Sequence, residues 1–382
     1  MRLSSPVLLV FLFIAVYFFG TAVPLPLQRG LLALSITLKS FVICLLPFLI
    51  FGLLFSAFYR LGRVASRTIF WILVLVCSSN FLAVYVSQFF GRAVYAVNLG
   101  LSSLEAGRTL EPLFLLQFPR LIPNSLALVS GVLAGIFAAK FFRNRAMALL
   151  TGVDGCVAKL LRCVLALVPF FLVGFLLKMK YDGLLAVIVR RYAAIAVLIV
   201  VAVVAYLFLF YYVASGFNFR RTASSLRHML SPAICAFSSM SSAATLPYTL
   251  VAVEKNCANG LLARSMATTT SNIHLIGDCF AIPIFIYAIL SSYGFPPPPA
   301  ALYFFFAVQF VVAKFSVAGV PAGGIIVMLP IIERCFGFHS EMSSLIFSLY
   351  VIMDPICTCA NVLGNGALAQ FADRTVFRNS QG

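Results

Sequence analysis

Apolar residues dominate the chain in long runs, at about 5–24, 32–59, 68–98, 112–142, 161–178, 192–215, 262–291, 300–333 and 342–372. A bilayer core needs about 20 apolar residues per helix, so most of these runs are long enough to cross it. A spanning barrel would instead show segments of about 10 residues with alternating polarity. The continuous Phe, Leu, Val and Ile stretches do not alternate, and the pattern predicts an all-α polytopic membrane protein. Two stretches depart from simple spans. From Leu230 to Lys255 the chain passes through Pro232, a serine-rich segment, and Thr245-Leu246-Pro247; from Ala300 to Arg334 two apolar arms flank a Gly/Pro cluster. Their arms are short, and each reads as a helix, a turn and a helix re-entering from one side. Non-helical backbone at membrane depth survives only where protein or a water-filled cavity satisfies it, so both turns point to a site. The expectation is about eight transmembrane helices plus two re-entrant helical hairpins.

Composition sharpens this picture. Residues are 63% hydrophobic and 10% charged, against about 25% charged in soluble domains, which excludes an ordinary soluble protein. The formal net charge of +17 does not indicate a nucleic-acid partner, because the basic residues sit in short connectors. Arg60, Arg63, Arg67, Lys140, Arg143, Arg145, Lys159, Arg162, Arg220, Arg221, Arg227, Arg374 and Arg378 fit a cytoplasmic N-terminus under the positive-inside bias. Lys178, Lys180, Arg190 and Arg191 fall on the other side and break the rule. The run from Pro6 to Gly20 has the character of a signal-peptide core but lacks a small-residue cleavage site before Pro24, and is read as a retained span. The ten cysteines lie mostly inside apolar runs and imply neither a disulfide framework nor a zinc site. No cofactor is implied.

Candidate chemistry gathers in the C-terminal half. Helix N-termini at hairpin tips carry about half a positive charge and suit a carboxylate. Ser241 and Ser242 add hydroxyl donors, or serve only as small residues for close packing. Asp354 lies within an apolar run, where a bare carboxylate costs about 2.5–3.5 kcal/mol even on the most forgiving scale. It requires a partner. Asp354, Cys357, Thr358, Asn361 and Asn365 follow i, i+3, i+4, i+7 and i+11 spacing and so share one helical stripe.

Three segments carry a family resemblance. Ser241-Ser242-Ala243-Ala244-Thr245-Leu246-Pro247 is similar to the S-S-S-G-T-L-P tip of the first hairpin in the dicarboxylate and amino acid:cation symporter family, which includes glutamate and neutral amino acid transporters and an archaeal aspartate transporter. Ala318 to Gly324 resembles the A-G-V-P-G-A-G tip of the second hairpin. Asp354-x-x-Cys357-Thr358-x-x-Asn361-Val362-x-Gly364 is similar to the D-x-x-R-T-x-x-N-V-x-G-D pattern of the last helix. The resemblance covers about residues 230 to 370. It implies an inverted-repeat, elevator-type secondary symporter, a homotrimer in the plasma membrane (a bacterial inner membrane), moving an amino acid or dicarboxylate with sodium or a proton. Implied substrate-binding residues are Ser241, Ser242, Thr245, Gly319, Val320, Pro321, Gly323, Asp354, Cys357, Thr358 and Asn361. The implied division is scaffold at 1–67 and 112–190, a third helix of the transport domain at 68–98, and a transport core at 191–373. Within that core lie hairpins at 230–255 and 300–334 and helices at 262–291 and 342–372.

The chain also departs from the family. Cys357 stands where carriers of acidic amino acids have an arginine, and a thiol cannot make that bidentate charged contact. Glutamate, a neutral amino acid and a C4-dicarboxylate all stay open. Where the family has N-M-D-G-T in its seventh helix, this chain reads Asn272-Ile273-His274-Leu275-Ile276-Gly277-Asp278, and Asn365 replaces a sodium-binding aspartate. Asn272, His274, Asp278, Lys314, Asn361 and Asn365 are therefore the candidates for cation or proton coupling, with a sodium position near Asn361 and Asn365. In a continuous helix, His274 and Asp278 share a face, and His274 is a candidate proton carrier tuned by Asp278. Lys314 has two readings: a lysine snorkelling to the outer interface, or an ammonium standing where a cation binds. Two other classes compete: an integral membrane enzyme, for which no nucleophile–base pair is visible, and a passive channel, which needs a continuous ligand-lined pore.

Overall fold

The computed structural model describes residues 5–63, 67–97, 110–119, 121–122, 124–142, 146–317 and 322–376. Among these the regular structure is helical: α1 Ser5–Phe19, α2 Leu25–Arg63, α3 Arg67–Ala96, α4 Asn124–Phe141, α5 Ala146–Tyr181, α6 Leu184–Ala214 and α7 Phe219–His228. The chain continues through α8 Leu230–Ser239, α9 Ser242–Asn256, α10 Gly260–Thr270, α11 Ile276–Ser292, α12 Ala300–Ala313, α13 Gly323–Phe336 and α14 Ser340–Thr375. Side-chain caps fix several starts. Asn218 accepts from Arg221 N at 3.0 Å, Ser241 from Ala244 N at 3.3 Å, and Asn259 from Leu262 N at 3.0 Å, each satisfying an otherwise orphaned amide.

The helices pack in two groups. In one, α2 lies against α4 and α5, and α1 against α5. In the other, α14 runs through the middle, touching α6, α8, α9, α10 and α11, while α3 packs along α11 and α12. Every residue of α11 is buried. A helix apolar all round belongs in a protein interior or in lipid, and burial assigns α11 to the interior. By contrast α6 exposes Val197, Val201, Val204 and Phe208, a stripe at helical spacing that water would not tolerate and lipid does. Phe70–Ala96, Tyr192–Ala214 and Ser340–Thr375 are long and apolar enough to cross a membrane by length and composition. The chain is an integral membrane protein.

One expectation is corrected. Residues 262–291 do not form one helix: α10 stops at Thr270 and α11 begins at Ile276. In the first helical pair the turn lies at Met240, in left-handed backbone with φ 48°, and Thr245 to Pro247 belong to α9. The lysines that violate the charge bias have local partners. Lys178 pairs with Asp182 at 2.6 Å and with Glu341 at 3.3 Å, and Lys180 donates to Tyr17 O at 2.7 Å.

Candidate functional site

The break between α10 and α11 organises the site. Asn80 of α3 satisfies two of its backbone groups: Nδ2 donates to Ile273 O at 2.7 Å, and Oδ1 accepts from Leu275 N at 3.2 Å. Past the break, Gly277 sits so close to the Cys357 carbonyl that a Cβ there would collide with it. That approach lets Gly277 N donate to Asn361 Oδ1 at 2.8 Å. The next residue is Asp278, fully buried, and its carboxylate is surrounded by donors. Lys314 Nζ lies 2.8 Å from Oδ2; the Tyr350 hydroxyl donates to Oδ1 at 2.8 Å, and Asn361 Nδ2 donates to the same oxygen at 3.3 Å.

Lys314 opens the 3₁₀ turn Lys314–Ser316 that follows α12, and its side chain is 0% exposed. The ammonium also lies 4.4 Å from the centre of the Phe310 ring, a favourable cation–π distance. Snorkelling is thus overturned: Lys314 points inward because Asp278 and an aromatic face compensate its charge there. Around Gly324 the fit is equally tight, and a Cβ at that position would strike Asp278 Oδ2 and lie 2.6 Å from the Tyr350 hydroxyl.

Asp354, the second buried acid, accepts from Ala322 N at 2.7 Å and from the Thr358 hydroxyl at 3.3 Å. Ala322 adopts φ 58°, in left-handed backbone, immediately before α13. Asp354 therefore ties α14 to the start of α13, where the helix dipole favours an anion. Pro355 follows inside α14 and offers no N–H to the Val351 carbonyl one turn back.

A small cavity of about 20 Å³ lies between these elements, lined by Met240 and Ser242, Asn272, Leu275 and Asp278, Val317 and Gly324, and Tyr350, Asp354, Thr358 and Asn361. That volume holds about one water. The turn of the first helical pair, the residues that flank the turn of the second, the α10–α11 break and the α14 stripe thus meet at one point. Other candidates sit further back. Thr245 is buried with its hydroxyl on Ser241 O at 2.9 Å, Ser241 caps α9, and Gly323 begins α13 one residue before the lining position. Cys357 is buried but does not line the cavity; α14 meets Gly277 there. Gly319, Val320 and Pro321 lie outside the described residues.

His274 does not pair with Asp278. It lies within the break rather than on a continuous helix, so the shared face disappears. Its Nε2 lies 2.9 Å from Ser79 Oγ, and its ring packs edge-on to Phe210. Asn365 Nδ2 donates to Asn361 O at 2.9 Å and to His274 O at 3.4 Å. The side-chain oxygens of Asn272 and Asn365 are buried without a hydrogen-bond partner. Such oxygens suit a hard cation. Sequence reasoning missed Asn80, Ser79 and Tyr350. The first two are polar residues inside the 68–98 apolar run, and Tyr350 lies one turn before Asp354 on the same stripe; those were the available signals.

A family model described as the sodium:dicarboxylate symporter family matches residues 7–375. Over 164 residues the chain is 27% identical to the neutral amino acid transporter B(0) of Homo sapiens, an alignment covering 40% of this chain and 29% of that protein. The Macaca fascicularis protein of the same name gives the same values, and the Oryctolagus cuniculus one is 29% identical over 164 residues with the same coverage. The chain thus spans less than a third of the length of these curated relatives.

Proposed function

Because the chain belongs to the sodium:dicarboxylate symporter family, a family of transporters and not of enzymes, we propose that it is a sodium-coupled symporter of a small neutral α-amino acid. The observation that carries this choice is the pairing of charges at the site. Among the described residues Asp354 is bound by a backbone amide and a hydroxyl and has no cationic partner, so it suits the ammonium of an amino acid. Lys314, the one cation beside the cavity among the described residues, is already committed to Asp278. A second substrate carboxylate therefore has no free cation to meet. The substrate's own carboxylate suits the start of α9 at Ser242, where amides and the helix dipole favour an anion. Thr358 and Asn361 complete the polar wall.

A cavity of about 20 Å³ is too small for an amino acid, and substrate entry requires the two turns to separate. We assign the outer gate to the α12–α13 pair, because its Ala322 amide rests on Asp354 and an incoming ammonium competes for that carboxylate. Residues 230–255 and 300–334 act as re-entrant hairpins in this scheme. Residues 68–98 and 191–373 move as the transport unit against a scaffold at 1–67 and 112–190, in a homotrimer with elevator-type alternating access. The packing of α3 and α14 on α11, with α2 packed mainly against α4 and α5, supports that division. The unpartnered oxygens of Asn272 and Asn365 support a sodium position beside the α10–α11 break. His274 faces only neutral groups, which favours sodium over a proton as the driving ion.

Purified protein in liposomes, offered alanine, serine, glutamate and succinate under sodium or pH gradients, tests this. Sodium-driven accumulation of alanine or serine is the expected result. Preference for succinate or glutamate overturns the substrate assignment, and uptake that follows the pH gradient without sodium transfers the coupling role to a proton.

A further inference from the structure

We propose that Lys314 is a built-in counter-cation: its ammonium permanently fills one cation position in the transport site, and the carrier therefore couples one fewer sodium ion than its buried carboxylates would otherwise require. The inference rests on the symporter reading above and concerns which charges travel.

Two carboxylates, Asp278 and Asp354, are buried beside one small cavity. A buried carboxylate needs a compensating positive charge or a full set of hydrogen-bond donors. In a symporter the compensating charge for such a group can be a travelling ion, present when the loaded site moves and absent when it does not. At Asp278 that option is closed. Lys314 Nζ lies 2.8 Å from Oδ2, with the Phe310 ring 4.4 Å from the ammonium, and Tyr350 and Asn361 take Oδ1. Three donors surround this carboxylate, a π face backs the ammonium, and the cation is covalently part of the chain.

The placement fits a substituted ion better than an incidental ion pair. Lys314 comes from the turn after α12, Asp278 from the first turn of α11, and Tyr350 and Asn361 from α14. These three elements must stay locked together if they travel as one unit. A bound sodium would hold them through oxygen ligands; an ammonium holds them with charge-assisted bonds. The side-chain oxygens of Asn272 and Asn365, buried and unpartnered, take no part in the Asp278 contacts and are assigned to an ion that does travel. Removing the ammonium uncovers a buried carboxylate that a supplied cation or a proton must neutralise, and the sodium dependence of unfolding separates the two.

The test uses the full-length protein and two variants, Lys314→Met and Lys314→Met/Asp278→Asn. Thermal unfolding in detergent is compared in sodium chloride and choline chloride at equal ionic strength. Lys314→Met is expected to lose stability in choline and regain it in sodium, while the double variant, lacking both charges, responds to sodium no more than wild type. In liposomes with the potential clamped at zero and a sodium gradient of about tenfold, one additional coupled ion raises the limiting alanine accumulation about tenfold. Lys314→Met should show that gain over wild type. A Lys314→Met protein destabilised equally in both salts, or one with wild-type sodium stoichiometry, overturns the proposal. Failure of wild type to accumulate any substrate instead removes the symporter reading, and the salt-dependent unfolding still reports on the ion position.

Discussion

Asn80→Ala offers the sharpest test of how the broken helix is held. Asn80 is fully buried and its amide bridges the break, meeting Ile273 O at 2.7 Å and Leu275 N at 3.2 Å. Alanine removes both partners and leaves a carbonyl and an amide in a dry interior. Each orphaned group costs about 1–3 kcal/mol, so the substitution should destabilise by about 2–6 kcal/mol, a large value for one side chain. Asn80→Asp separates the two contacts, because a carboxylate still accepts from Leu275 N but cannot donate to Ile273 O. Its own unpaired charge adds a further cost. Ser265→Ala serves as the control: that hydroxyl is exposed and bonds within its own helix at 2.9 Å, and removal should cost within about 0.5 kcal/mol. Thermal unfolding ranks the three proteins, and amide hydrogen exchange at Leu275 locates the effect. An Asn80→Ala protein with unchanged unfolding and unchanged protection at Leu275 would show that the break is stabilised by something else.

Other substitutions probe the remaining joints. Asp354→Asn removes the charge that receives the substrate's ammonium; losing a charged hydrogen bond worth about 1.5–3 kcal/mol should weaken apparent amino acid affinity by roughly 10- to 150-fold, measurable by competition uptake. Unaltered affinity would show that the ammonium binds elsewhere. Ala322→Gly relieves left-handed backbone at φ 58° and should stabilise by about 1 kcal/mol, and a lower unfolding temperature would contradict that strain. Gly324→Ala drives a methyl into the Asp278 carboxylate and the Tyr350 hydroxyl. Pushing Oδ2 away from Lys314 Nζ breaks the buried Asp278–Lys314 pair and should cost about 3–5 kcal/mol and abolish uptake, whereas normal uptake would mean the site has slack the contacts do not show.

Periodicity made the stripe on α14 legible. Asp354 and Thr358, and Asn361 and Asn365, are bonded one turn apart, as i, i+4 spacing requires. The apolar runs likewise announced a membrane protein, because composition and run length answer directly to the solvent. What stayed hidden depended on residues distant in sequence. No proline or glycine lies between Ser271 and Leu275 to mark a break; Asn80, on another helix, compensates it. Lys314 read more naturally as an interfacial lysine, since its partner Asp278 is 36 residues away and nothing local announces the pairing. Cys357 obeys the stripe's spacing yet does not line the cavity, and its backbone packs against Gly277, because a stripe is wider than the cavity it borders. The helix–turn–helix over 230–255 was legible, but the position of its turn at Met240 was not: the serine cap on Ala244 N starts α9, and no pattern of apolar residues reveals a cap.

The most direct measurement is alanine accumulation by wild-type protein in sealed liposomes with sodium high outside and low inside. Concentrative uptake is predicted, collapsing when sodium is equal on both sides and requiring roughly 10- to 150-fold more alanine with Asp354→Asn. Alanine that merely equilibrates across the membrane, whatever the sodium gradient, would contradict the account.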